Sequence, residues 1–168
     1  MILSELFNDI ENSKIKYFVY KGLSHLKEDL SLLRNNGDID IYVANEDLNK
    51  IKLILFKRGY NKTQNSKNSF IKFFWNENLV SQIEIVTKIK LGKEPFKPYF
   101  LEIDYKKVSL KKKYNVIVLD DIDYFPLQFL IRILSKKDKD HSINEITNYY
   151  INSSNKDKGY IGKVISDS

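Results

Sequence analysis

The sequence predicts an α/β fold of the α+β type, in which helices flank a mixed β-sheet and a short helical extension follows at the C-terminus. Near the start of the chain, apolar residues recur at helical spacing. Further along, short β-branched and aromatic runs are separated by turn residues and by more helical segments. The length of 168 residues, 42% of them hydrophobic, is enough for one domain with a substantial core.

The elements follow from the spacing of apolar residues and from turn residues. Residues 2–13 are predicted as an amphipathic helix. The aromatic run Tyr17–Tyr20 is predicted as a strand that stops at Gly22, and Ser24 can cap the next helix. The later elements are predicted as strand 38–43, a helix from Asn45 to Gly59, strands 60–63, 70–75 and 79–89, a loop over 91–113 with a strand at 99–103, strand 115–119, a helix to about 134 and a helix opened by Ser142.

This organisation predicts one main domain over residues 1–137, followed by a C-terminal helix and loosely ordered tail over 138–168. The absence of cysteine excludes disulfides and thiolate sites, and two histidines are too few for a histidine-rich zinc site. The first helix is amphipathic, unlike a signal peptide, and no uncharged run approaches the ~18 residues of a membrane span. We therefore expect a soluble cytoplasmic protein without a membrane partner.

The charge of the chain favours a phosphate-bearing ligand. The net charge is +6, from 28 basic and 22 acidic residues. Lysines crowd the segment 88–113, and such a basic field attracts the phosphates of a nucleotide or a nucleic acid. Solvated lysines without a ligand are an equally good interpretation of any one of these positions.

Two carboxylates in the strand 38–43 are the main candidates for chemistry. Asp38 and Asp40 alternate with Ile39 and Ile41, and side chains two apart in a strand point to the same face. The carboxylates should stand roughly 6–7 Å apart. Carboxylate oxygens suit Mg²⁺, and two ions about 3.5–4 Å apart are a common device for displacement at phosphorus. A strand that exposes a polar face to water, without any function, would show the same sequence pattern.

Two other features are compatible with phosphate binding. The strand that ends at Lys21 and Gly22 is followed by a predicted helix that Ser24 caps. The first N–H groups of this helix and the positive end of its dipole form a possible phosphate-binding site. Arg34, in the turn before Asp38, can hold a phosphate bidentately or merely contact solvent.

A third acid would complete a two-metal site. Glu84 lies within the apolar strand 79–89 and would converge with Asp38 and Asp40 if the two strands are neighbours. It could also serve as a base. The pair Glu102 and Asp104 is the alternative source of the third ligand.

Taken together, these residues resemble the polymerase β-like nucleotidyltransferase superfamily. The chain is most similar to its uncharacterised bacterial and archaeal members, which share four features. The features are the turn Lys21-Gly22, Arg34 four residues before the first acid, the acids Asp38 and Asp40, and the helix end Gly59-Tyr60. The resemblance covers roughly residues 15–137 and implies a mixed nucleotidyltransferase-like sheet.

The resemblance implies transfer of a nucleoside monophosphate from a nucleoside triphosphate such as ATP to a hydroxyl or phosphate acceptor. Asp38, Asp40 and Glu84 would hold two Mg²⁺ or Mn²⁺ ions, and Lys21, Gly22, Ser24 and Arg34 would bind the nucleotide. The acceptor could be a small molecule, a protein or an RNA. Two alternatives are a non-catalytic binding protein that uses the lysine-rich segment and, less favoured, a glycosyltransferase with an Asp-x-Asp metal site.

Overall fold

The computed structural model describes residues 3–22, 37–64, 66, 68–74, 79–92, 98–135 and 159–166. The helices are α1 (Ser4–Asn12), α2 (Leu48–Lys57), α3 (Asp121–Ser135) and α4 (Tyr160–Ser166). The strands are β1 (Tyr17–Lys21), β2 (Gly37–Val43), β3 (Asn61–Lys62), β4 (Ser69–Phe74), β5 (Leu79–Val86), β6 (Ile89–Leu91), β7 (Tyr99–Leu101), β8 (Leu110–Lys113) and β9 (Val116–Leu119). A 3₁₀ turn, Asn45–Asp47, precedes α2.

The chain forms two compact units, residues 1–87 with 112–118 and residues 88–111 with 119–168. The domain boundary predicted after residue 137 lies outside the described residues. Among the described residues, no helix combines the length and apolar character that a membrane crossing requires.

The main sheet has seven strands in the order β3-β4-β5-β2-β1-β9-β8. Its central strand, β2, pairs in parallel with β5 and antiparallel with β1. Strand β1 in turn pairs in parallel with β9. The sheet is therefore mixed, and the predicted fold class is confirmed.

Helices α1 and α2 cover one face of this sheet. Their apolar stripes bury Phe7, Ile10 and Leu55 against the strands. Ile39 and Ile41 of β2 are fully buried in the same core. Because side chains alternate along a strand, burial of the two isoleucines directs Asp38 and Asp40 to the opposite face.

The second unit contains the hairpin of β6 and β7 together with α3 and α4. The carboxylate of Asp123, in the first turn of α3, is fully buried. It accepts hydrogen bonds from the backbone N–H groups of Ser109 (2.8 Å) and Ile161 (3.0 Å). Asp123 therefore attaches the start of α4 and the segment before β8 to α3.

Several predicted elements differ in detail. The strand expected over 79–89 is two strands, β5 and β6, and β8 lies within the predicted loop 91–113. The helix predicted from Asn45 begins at Leu48, after the 3₁₀ turn Asn45–Asp47. Asp47, the last residue of that turn, is buried and accepts hydrogen bonds from the backbone N–H of Lys16 (3.0 Å) and from Nζ of Lys50 (2.7 Å). The predicted helices after Ser24 and Ser142 lie outside the described residues.

Candidate active site

The register of β2 against β5 brings three acids to one face of the sheet. Asp40 lies opposite Glu84, and Asp38 lies opposite Gln82 two positions earlier. In a parallel pair, residues that lie opposite each other project to the same side. The carboxylates of Asp38, Asp40 and Glu84 therefore share the face that the helices α1 and α2 do not cover.

Asp40 forms an ion pair with Lys21. The distance from Nζ of Lys21 to Oδ2 of Asp40 is 2.9 Å, and the Asp40 side chain is only 4% exposed, whereas the Lys21 side chain is 49% exposed. The pairing of β1 with β2 has a bulge between Val19 and Lys21. Val19 stays in the core, and the extra residue lets Lys21 join Tyr20 on the carboxylate side.

The neighbouring carboxylates act electrostatically on Glu84. Burial raises the pKa of Glu84 above its ordinary value, and the charges of Asp40 and Asp38 raise it further, while Lys21 opposes them. Burial also raises the pKa of Tyr20, with smaller contributions from Asp40 and Glu84. This face of the sheet therefore carries a concentrated negative field, partly offset by one ammonium group.

Gly22 ends β1 in a conformation that suits only glycine. Its φ is +87°, and a Cβ at this position would overlap the carbonyl oxygen of Asp38 and lie 2.9 Å from Cα of Ile39. Gly22 therefore allows the end of β1 to pass directly against the backbone that carries the carboxylates. The predicted phosphate-binding site includes Ser24 as well as Gly22. Both Ser24 and Arg34 lie outside the described residues.

The donor set suits a hard divalent cation. Carboxylate oxygens are the protein ligands that Mg²⁺ and Mn²⁺ prefer. Three carboxylates against one lysine leave two negative charges for such an ion to offset. In the part of the chain that the structure describes, no group of three or more His, Cys, Asp or Glu side chains is already spaced to hold a metal. The residues thus fit a metal in chemistry and charge, and their side chains would have to converge around it.

The alternative third acids belong to the second unit. Glu102 is ion-paired with Lys88 at 3.1 Å, and Asp104 with Lys107 at 3.6 Å. Glu84 is the candidate that the register of β2 and β5 places beside Asp40. The pairing of Lys21 with Asp40 cannot be predicted from the sequence, because residue spacing does not reveal a bulge.

Comparisons with known proteins agree with this fold. A family model described as "uncharacterised nucleotidyltransferase" matches residues 1–130. No protein of curated function matches the sequence significantly.

Two solved structures resemble the fold. One is a lincosamide antibiotic adenylyltransferase, LnuA, bound to lincomycin, with TM-score 0.50, 15% identity, and coverage of 86% of this chain and 94% of that one. Another is the antibiotic-resistance factor ANT(2'')-Ia, with TM-score 0.53, 8% identity, and coverage of 98% and 89%. At these identities the likeness concerns the fold.

Proposed function

Because the chain belongs to the family of uncharacterised nucleotidyltransferases, we propose that it is a metal-dependent enzyme that transfers a nucleoside monophosphate from a nucleoside triphosphate to an acceptor hydroxyl. The observation that carries this proposal is the placement of Asp38, Asp40 and Glu84 on one face of two adjacent parallel strands. Carboxylates in such a cluster are the usual ligands of metal ions at phosphoryl-transfer sites.

The proposed reaction is a displacement at the α-phosphorus of the donor. A bond forms between the acceptor oxygen and this phosphorus, the bond to the β-phosphate oxygen breaks, and pyrophosphate leaves. Asp38 and Asp40 would hold the divalent cations, with Glu84 as the third ligand. When bound, these ions neutralise charge on the phosphates and favour ionisation of the acceptor hydroxyl.

Glu84 is also suited to accept the proton of the acceptor hydroxyl. In the metal-free protein, burial and the neighbouring Asp40 raise the pKa of its carboxyl, and a metal ion held by Asp40 would offset the contribution of that neighbour. Lys21, whose ammonium lies at the edge of the cluster, can contact the phosphates of the donor. Gly22 leaves room for the strand end that carries Lys21.

A small molecule with a hydroxyl group is the acceptor class that we favour. One of the solved structures named above is a lincosamide antibiotic adenylyltransferase bound to lincomycin, and the other is an antibiotic-resistance factor. A protein side chain or an RNA end remains an alternative that the experiment below distinguishes.

The alternative of a basic binding protein has less support. Among the described lysines of the segment 88–113, Lys88 is paired with Glu102, Lys111 with Asp121, and Lys112 with Glu11. Ion pairs of this kind reduce the positive field that a nucleic acid would contact. Family membership likewise favours nucleotidyl transfer over glycosyl transfer.

Donor binding is the first test of the proposal. Calorimetric titration with each of the four NTPs should show binding in the presence of Mg²⁺ or Mn²⁺ that disappears with EDTA. The protein is then incubated with radiolabelled donor and a panel of acceptors: lincomycin, other polyhydroxylated small molecules, proteins and short RNAs. The label should appear in one of these classes of acceptor, with one equivalent of pyrophosphate released per transfer. Failure of a well-folded protein to bind any NTP would overturn the proposal.

Glu84 offers a test through pH. We expect Glu84→Gln to raise the unfolding temperature of the metal-free protein at about pH 8 and to leave it unchanged at about pH 4. A carboxyl whose pKa is raised by folding stabilises the folded state while it is protonated, and this contribution is lost as the pH rises through the raised pKa. Thermal unfolding in EDTA, followed by circular dichroism, measures the difference.

The same variant should lower the rate of transfer by about 10²-fold or more, because the base is lost. A variant that is less stable than the wild type at about pH 8 would contradict the assigned origin of the pKa shift. A variant with unchanged activity would contradict the catalytic assignment.

A further inference from the structure

Lys21 forms an ion pair with Asp40, a carboxylate that the proposed function assigns to a metal ion. Of the three acids on this face, Asp40 and not the exposed Asp38 or the half-buried Glu84 is paired with the ammonium, at 2.9 Å. The inference that follows rests on the proposed function, since it concerns the same site.

The burial of Asp40 requires that it keep a cationic partner. A carboxylate removed from water is strongly destabilised when its counter-ion is withdrawn. Its side chain is 4% exposed, so solvent alone does not replace the ammonium. A divalent cation that binds Asp40 can compensate the negative charge of this carboxylate. The ion pair between Lys21 and Asp40 is then no longer required.

The side chain of Lys21 is able to change its position. Lys21 is the last residue of β1, directly before Gly22, and its side chain is half exposed. A flexible chain of four methylenes connects the ammonium beside Asp40 to the backbone. The half-exposed ammonium already contacts water, so it can pass to another anion once a second cation compensates the charge of Asp40. The donor triphosphate is the anion that arrives together with the metal.

We propose that Lys21 is the resident counter-ion of Asp40 in the metal-free protein and exchanges to a phosphate of the donor when a divalent cation binds Asp40. The exchange makes metal binding weaker without nucleotide and stronger with it. Binding of either ligand therefore strengthens binding of the other by the same factor, as linkage requires. The site would thus bind metal and nucleotide together.

The test measures binding, independently of turnover. The affinity for Mn²⁺ is determined by calorimetry and electron paramagnetic resonance, with and without a non-hydrolysable NTP analogue, in the wild type and in Lys21→Met. We expect Lys21→Met to bind Mn²⁺ alone about tenfold more tightly and to bind the analogue more weakly. The coupling between the two ligands should fall by a similar factor.

Two variants control for charge and for folding. Lys16→Met removes the same charge just before the other end of β1, where Lys16 pairs with the exposed Glu46, and it should leave both affinities and their coupling unchanged. Lys21→Arg keeps a cation beside Asp40 and should keep Mn²⁺ binding weak in the absence of nucleotide.

The outcomes separate this inference from the proposed function. If the wild type binds Mn²⁺ and nucleotide but Lys21→Met leaves the coupling unchanged, the exchange is refuted and the transferase proposal stands. A rise in Mn²⁺ affinity without loss of coupling would indicate a general charge effect and would also refute the exchange. If the folded wild type binds neither ligand, the proposed function itself is refuted.

Discussion

Replacing Asp38 and Asp40 together with alanine is expected to abolish metal-dependent NTP binding and to lower the transfer rate by about 10³-fold or more. Both carboxylates would hold the divalent cations, and without them no other acid of β2 can do so. The fold should persist, because the partner left behind, Lys21, is half exposed and can be solvated. Calorimetry and pyrophosphate release measure the loss, and circular dichroism checks the fold.

The matched control removes the other alternating acid pair. In Glu102→Ala/Asp104→Ala, two exposed carboxylates that are ion-paired with Lys88 and Lys107 are lost, so the change in net charge is the same. This variant should bind NTP as the wild type does. The opposite result, with an inactive control and an active Asp38→Ala/Asp40→Ala variant, would move the site to the second unit.

Replacing Gly22 with alanine is expected to destabilise the fold by about 2–4 kcal/mol and to remove most of the activity. An L-residue is strained at a φ of +87°, and its Cβ would overlap the carbonyl oxygen of Asp38. That atom belongs to the backbone of β2, so relief of the clash must shift the strand that carries both aspartates. Thermal unfolding and NTP binding measure the two effects.

Gly59→Ala separates strain from displacement of the site. Gly59 also has a positive φ, +79°, but among the described residues an added Cβ would meet only the end of the flexible Lys72 side chain, with Nζ at 3.4 Å. We therefore expect Gly59→Ala to lose some stability and to keep its affinity for NTP. Equal losses of NTP binding in the two variants would contradict the role assigned to the contact between Gly22 and β2.

Local sequence patterns predicted most of the described elements. The spacing of apolar residues identified α1 and α2, and the β-branched runs identified β2, β5 and β9. The errors occur where the pattern is weak. Strand β8, Leu110–Lys113, has three consecutive lysines and no alternation. Its backbone pairing within the sheet decides its conformation, and such pairing leaves no trace in the local sequence.

That Asp38 and Asp40 share a face follows from the sequence alone, because alternation along one strand is a local property and the isoleucines between them require burial. Which third acid lies beside them depends on the tertiary fold, because Glu84 lies opposite Asp40 through the pairing of strands that are distant in the chain. The position of Lys21 likewise depends on a bulge in the pairing of β1 with β2. Strand order and register arise from packing of the whole sheet, which no single segment encodes.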